Sequence, residues 1–94
     1  MAAYVFLGKY SVDALKRISA ERTTKAIKLI TKLGGKVSAL YALLGQYDLL
    51  LIAEFPGTAE AMQASIALSK MTGISFTTSP ALSIEDFDKM NVNT

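Results

Sequence analysis

A few polar side chains able to bind or transform a ligand stand out in an otherwise apolar sequence. Gly45, Tyr47 and Asp48 lie between two apolar segments, and Tyr10 and Arg22 are the other candidates for binding chemistry. A carboxylate that opens a strand among apolar neighbours is bonded by backbone amides or faces a cavity. A tyrosine beside it adds a second polar anchor for a ligand. We therefore predict that these five residues bind a small molecule near this turn, at a junction between subunits.

The same side chains support a competing interpretation as a cofactor-free enzyme. Tyrosine, aspartate and arginine can perform acid–base and oxyanion chemistry. The sequence has no histidine and no cysteine, so it lacks the commonest general base, the commonest metal ligand and a thiolate nucleophile. We expect a non-catalytic binding or sensor module with no cofactor and no metal. A cofactor-free enzyme and a purely structural assembly protein remain the alternatives.

Two acidic residues around the turn have ordinary structural interpretations. Asp48 can accept hydrogen bonds from the amides of its own tight turn, as aspartates in turns commonly do. Glu54 lies six residues later on the same strand face. Because an unpaired buried charge is costly, we expect Glu54 to be paired, with Lys9 or Arg22 as candidate partners, the alternative being a position at the rim of the sheet.

The length and composition indicate one domain, residues 1–94, that associates with copies of itself. Ninety-four residues support only a limited core. Hydrophobic residues make up 51% of the chain and charged residues 19%, so we expect surface to be buried against a homodimer or higher-oligomer partner. No apolar run reaches the ~18 residues of a membrane span, and the start MAAYVFLGKY does not resemble a signal peptide. We expect a cytoplasmic protein without a membrane partner.

The charges are distributed unevenly along the chain. Residues 1–36 hold eight basic and two acidic residues, whereas residues 37–94 hold two basic and six acidic ones. Complementary halves can steer assembly. The basic residues between 22 and 32 are interpreted as a solvated helix face, because no phosphate-binding loop or nucleic-acid motif accompanies them. Three acidic residues at 85–88 are interpreted as the start of a short helix rather than a cation site.

The elements that must position the turn are two apolar segments on either side of it. Gly45 and Asp48 suit a hairpin connection, so we predict a β-hairpin at the centre of a sheet. A pair of glycines ends the main helix before the hairpin, and Thr58 is the predicted N-cap of a later helix. The predicted strands are residues 3–9, 36–44, 48–55 and 74–80, and the main helix is residues 22–33.

The resulting order, β-α-β-β-α-β, predicts a ferredoxin-like α+β fold with two helices on one face of a four-stranded antiparallel sheet. The third strand is apolar on both faces, with Leu51 and Phe55 on one side and Leu50 and Ile52 on the other. Two helices cover only one face. We expect the second face to meet the sheet of an identical subunit, the alternative being a tail that folds under it.

The turn residues Gly45, Tyr47 and Asp48 resemble the signature of the GYD-domain family of small bacterial proteins. Supporting features are the opening YVFL at residues 4–7, Arg22 at the start of the main helix, and the LGGK step at residues 33–36. The resemblance implies a dimeric α/β barrel and no established activity. The turn is also similar to that of the amino-acid-binding domains of feast/famine regulators, which implies a stand-alone sensor because their DNA-binding motif is absent from this chain.

Overall fold

The chain forms a four-stranded antiparallel sheet with helices, and the computed structural model describes residues 1–90. Strand and main-helix boundaries lie within two residues of those predicted. Among residues 1–90, no helix is both long and apolar enough to cross a membrane. The elements are β1 (Ala2–Tyr10), α1 (Val12–Lys16), α2 (Ala20–Lys32), β2 (Lys36–Ala42), β3 (Leu49–Phe55), α3 (Thr58–Thr72), β4 (Ile74–Ala81) and α4 (Ile84–Lys89).

The strand order β2-β3-β1-β4 is the ferredoxin-like order, so the predicted fold is confirmed. β1 pairs with β3 on one side and β4 on the other, with Val5 opposite both Ile52 and Ser79. β4 is an edge strand, and Pro80 near its end suits this position because proline has no amide N–H to donate to a neighbouring strand. The hairpin is less central than predicted, because β3 is interior while β2 forms the other edge.

The core lies between the sheet and helices α2 and α3. Phe6 and Phe55 are fully buried, with ring centroids 6.0 Å apart. Ile30 of α2 and Leu68 of α3 pack against them. Two alanines of α3, Ala61 and Ala64, are also fully buried, and their small side chains let the helix approach the sheet closely.

Serine caps divide the first helical region into two helices. Ser11 Oγ accepts a hydrogen bond from the Ala14 amide at 2.9 Å and opens α1. Ser19 Oγ accepts one from the Arg22 amide at 3.0 Å and opens α2. Because each hydroxyl satisfies an amide that lacks a helical partner, the chain can restart a helix after a short break. Gly34, with φ of 84°, ends α2 as predicted.

The start of α3 differs from the prediction. Gly57, not Thr58, occupies the N-cap position, and it offers no side-chain cap. The Thr58 hydroxyl instead lies 3.0 Å from the Tyr4 hydroxyl. A buried tyrosine needs a hydrogen-bonding partner for its hydroxyl, so Thr58 serves the core rather than the cap.

The side of the sheet away from α2 and α3, called the open face, carries Val5, Leu7, Leu50 and Ile52. The alternation predicted for β1 and β3 is confirmed, because the residues between and beside them in the two strands (Tyr4, Phe6, Leu51, Ala53 and Phe55) are buried in the core. Helix α4 does not cover this face, since every residue of α4 is exposed. A tail folded under the sheet is therefore wrong for residues 82–90, and residues 91–94 lie outside the described chain.

Gly35 leads from α2 into β2 at a point where no larger residue fits. A Cβ at Gly35 would lie 2.6 Å from Cε1 of Phe55 and 2.9 Å from Cγ2 of Ile30. Overpacking a closed core costs roughly 1–3 kcal/mol, so Gly35→Ala should lower the free energy of unfolding by about that amount, measured in urea. Combined with Phe55→Leu, which removes the contacting ring carbon, the loss should be smaller than the sum of the two single losses. Strict additivity would contradict this account.

Candidate functional site

Four of the predicted site residues are placed around the C-terminal end of β1. Tyr10 is the last residue of β1, and Asp48 lies immediately before β3 in the connection from β2. Tyr47 precedes Asp48 and is half-buried. Arg22 reaches the same region from the first turn of α2, where its guanidinium carbon lies 5.4 Å from the centre of the Tyr10 ring.

Asp48 fastens the β2–β3 connection to the end of β1. Its Oδ2 accepts a hydrogen bond from the Tyr10 amide at 2.9 Å, and its own amide donates to the Gly8 carbonyl at 2.8 Å. Its carbonyl accepts from the Leu43 amide at 2.8 Å. The interpretation that amides of its own turn bond the carboxylate is therefore wrong, because the donor lies 38 residues away on another strand.

The rest of the connection is exposed. Gly45 has φ of 150° and no atom within 4 Å of the position a Cβ would take. Lys9 Nζ donates to the Gln46 carbonyl at 3.1 Å and adds a second link to β1. Gly45 therefore supplies a backbone conformation that other residues rarely adopt.

The prediction that Glu54 pairs with Lys9 or Arg22 is wrong. Lys9 bonds the Gln46 carbonyl and Arg22 bonds the Ala14 carbonyl, so neither side chain is used to pair with Glu54. Glu54 instead faces Lys36 across the β2–β3 ladder. Cross-strand neighbours of opposite charge stabilise a sheet modestly.

Arg22 is held in place by neutral groups. Its Nη1 donates to the Ala14 carbonyl at 2.6 Å, and its guanidinium lies over the Tyr10 ring at cation–π distance. The salt bridges within residues 1–90 join other pairs, so none of them neutralises Arg22. By contrast, Arg17 pairs with Asp13 at 3.0 Å. Arg22 therefore retains its charge and several N–H donors.

A cleft of about 60 Å³ opens beside Arg22, between α2 and the sheet. We call it the α2 cleft. Its polar lining consists of Tyr10, Arg22, Thr23 and Thr72, and its apolar lining consists of Ala26, Ile27, Ile30, Leu40, Leu49, Leu51, Leu68, Ile74 and Phe76.

The interior of the α2 cleft offers few free polar groups. The Thr72 hydroxyl donates to the Leu68 carbonyl at 2.7 Å and accepts from the Ile74 amide at 3.1 Å, so its main hydrogen bonds are made within the protein. The cleft is therefore an apolar cavity with a guanidinium and a tyrosine at its edge. Such a site suits a ligand with a small apolar body and an anionic group, since a guanidinium donates to both oxygens of a carboxylate.

The structure thus brings Tyr10 and Arg22 together on the cleft, whereas Gly45, Tyr47 and Asp48 are not part of its lining. The α2 cleft also lies on the helix side of the sheet, away from the open face where a second subunit was predicted. Sequence reasoning missed the apolar walls, such as Leu40 and Phe76. Their alternation predicts burial, and nothing in it distinguishes a cleft wall from a core residue.

These features define a ferredoxin-like α+β domain with an apolar cleft under its main helix. The family model described as GYD domain matches residues 4–90. The chain belongs to the GYD-domain family, as its turn residues indicated. Comparison with curated proteins and with solved structures gave no match.

Removal of the Asp48 carboxylate should loosen the end of β1. We expect Asp48→Ala to lower the free energy of unfolding by about 1–3 kcal/mol, because the Tyr10 amide loses a charged acceptor. Asp48→Asn keeps an acceptor oxygen and should lose less. Amide hydrogen exchange at Tyr10 provides the local measurement, and the exposed Asp88→Ala is the control. Equal effects of the Asp48 and Asp88 substitutions would contradict the link to β1.

Proposed function

We propose that this GYD domain is a homo-oligomeric, non-catalytic module that binds a short organic carboxylate in the α2 cleft. The observation that carries the proposal is the Arg22 guanidinium, which lies beside an apolar cavity and is positioned by a carbonyl and an aromatic ring. A ligand carboxylate would supply the negative charge that the chain does not place there.

The fixed position of Arg22 favours binding. Nη1 is oriented by the Ala14 carbonyl and the guanidinium lies over the Tyr10 ring, so little side-chain entropy would be lost when a ligand arrives. The remaining N–H groups can form charge-assisted hydrogen bonds, which are about twice as strong as neutral ones. Tyr10 adds a hydroxyl at the same edge, and Asp48 keeps Tyr10 in place through its amide. In this proposal the turn positions the site without lining it.

The size of the cavity limits the ligand. A volume of about 60 Å³ is less than half that of an apolar cavity of about 150 Å³ that holds benzene, so it can accommodate an aliphatic body of about two or three carbons. Apolar walls would favour such a body by burial. We therefore propose short-chain aliphatic carboxylates rather than large aromatic ones as the ligand class.

Arg22→Gln should abolish most of this binding. Hydrogen bonds to charged groups contribute about 1.5–3 kcal/mol, so the dissociation constant for butanoate should rise by about 10- to 100-fold. Titration followed by amide chemical shifts of residues on the cleft measures it. Butanamide, which has the same shape without the charge, should bind the wild type as weakly as butanoate binds Arg22→Gln.

Lys25→Gln is the matched control for Arg22→Gln. Lys25 lies one turn further along α2, is exposed, and pairs with Glu21 at 3.6 Å. Its replacement removes one positive charge from the same helix without touching the α2 cleft. Equal weakening by the two substitutions would mean that long-range charge alone attracts butanoate, and the proposed site would then be wrong.

The homo-oligomer is proposed on the open face. Val5, Leu7, Leu50 and Ile52 form a continuous apolar surface there, because Val5 pairs with Ile52 and Leu7 with Leu50 across neighbouring strands. Apolar patches of this kind mark interaction sites. A second copy is the simplest partner, since two such faces related by a twofold axis cover each other.

Ile52→Lys should convert the dimer to a monomer, because the unpaired ammonium would be buried between the two sheets. Sedimentation equilibrium measures the mass, and far-UV circular dichroism checks that the variant is folded. Ile66→Lys, at an exposed position of α3, is the control and should remain dimeric. A wild-type protein that sediments as a folded monomer at micromolar concentration would refute the open-face dimer.

A further inference from the structure

The C-terminal arm, residues 82–90, presents apolar side chains that the rest of its own chain does not cover. Phe87 is 61% exposed and Ile84 is 73% exposed, and Leu82 and Met90 are similarly open to solvent. Helix α4 within the arm has only six residues, and a helix this short is not stable alone in water. The apolar side chains on so short a helix indicate that the arm packs against a further surface, which would stabilise α4.

A second uncovered apolar surface lies on and just after α1. Val12, Leu15 and Ile18 are exposed, and only Ala14 of α1 is buried. The spacing of three residues places Val12 and Leu15 on one face of α1, and Ile18 follows just after the helix. We call these three residues the α1 patch. Lys16 and Arg17 border it in the sequence.

The charges around the two surfaces are complementary. Helix α4 carries three acidic residues and one basic residue, whereas residues 12–32, which form α1 and α2, carry six basic and two acidic residues. Apolar contact supplies affinity, and complementary charge around it favours this pairing over contact between two like surfaces.

The arm and the α1 patch lie at opposite ends of the sheet in one copy. The arm begins after Ala81, which pairs with Ala3, while α1 begins after Tyr10, which pairs with Ile74. At about 3.3 Å per residue, the seven residue steps from Ala3 to Tyr10 separate these ends by roughly 23 Å. The arm therefore reaches the α1 patch of a neighbouring copy more readily than the α1 patch of its own chain.

We propose that the C-terminal arm docks on the α1 patch of a second copy and that the exchange is reciprocal. A twofold axis perpendicular to β1 places the Ala81 end of one copy beside the Tyr10 end of the other, so the two arms would close a dimer. This arrangement is compatible with the open-face dimer, but it is carried by different residues and is tested separately.

Disulfide trapping tests the contact in the full chain, because the wild-type sequence has no cysteine. One copy carries Leu15→Cys and the other Phe87→Cys, the two are co-expressed, and the mixed disulfide is quantified by mass spectrometry after mild oxidation. Disulfides require Cα atoms within about 7 Å. The mixed disulfide should therefore exceed, on the order of tenfold, that formed between Phe87→Cys and a control Ile66→Cys on α3. Ile66 is 55% exposed and Leu15 57%, so the two thiols are equally accessible.

A third cysteine pair, Phe87→Cys with Tyr41→Cys, distinguishes between two positions of the arm on the partner. Tyr41→Cys on the open-face side of β2 is also exposed, and trapping of Phe87→Cys there rather than at Leu15→Cys would overturn the proposal. Trapping no better than with Ile66→Cys would overturn it as well. Because Leu15 and Phe87 are both exposed, neither substitution should prevent folding, and circular dichroism verifies this. Failure of the arm contact would leave butanoate binding and the Ile52→Lys result unaffected.

Discussion

The alternation of apolar side chains on β1 and β3 is the constraint on which the structure depends. Every second residue of these central strands packs against α2 and α3, and Phe6 and Phe55 anchor that side. The central intervening residues, Val5, Leu7, Leu50 and Ile52, are also apolar, so burial of either face of the sheet is favourable. Helices cover one face. In the proposed dimer, burial of the second surface would add stability that so small a core supplies only in part.

The same strands determine where a ligand site can form. β1 ends at Tyr10, and the β2–β3 connection returns to that end through the bond from the Tyr10 amide to Asp48. With the Tyr10 backbone fixed, its ring provides a surface on which Arg22 rests. The turn that contains Gly45, Tyr47 and Asp48 therefore acts through the end of β1. Its residues stabilise the edge of the α2 cleft from outside, and the cleft itself is formed by α2 and the sheet.

Much of this fold could be predicted from the sequence because its signals are local. Leu50 and Leu51 point to opposite faces by strand geometry alone, and Gly34 ends α2 through a conformation that glycine adopts readily. The grouping of Tyr10 with Arg22 on one cleft was not predictable in this way, since it depends on how α2 crosses the sheet. The partner of Asp48 was missed for a related reason. It is a backbone amide, which every residue except proline has, so no residue type at position 10 could indicate it.

The contrast between two neighbouring arginines explains why we propose the α2 cleft, rather than the other basic surfaces, as the binding site. Arg17 pairs with Asp13 and also donates to the Thr72 carbonyl at the end of α3, so it serves the fold. Arg22 is oriented by neutral partners, which fix its direction and leave its charge. An acidic residue in place of the Ala14 carbonyl would hold the guanidinium equally well and would neutralise it. A site for an anion requires the arrangement found at Arg22, because electrostatic attraction for a ligand survives only where the chain positions a charge without pairing it.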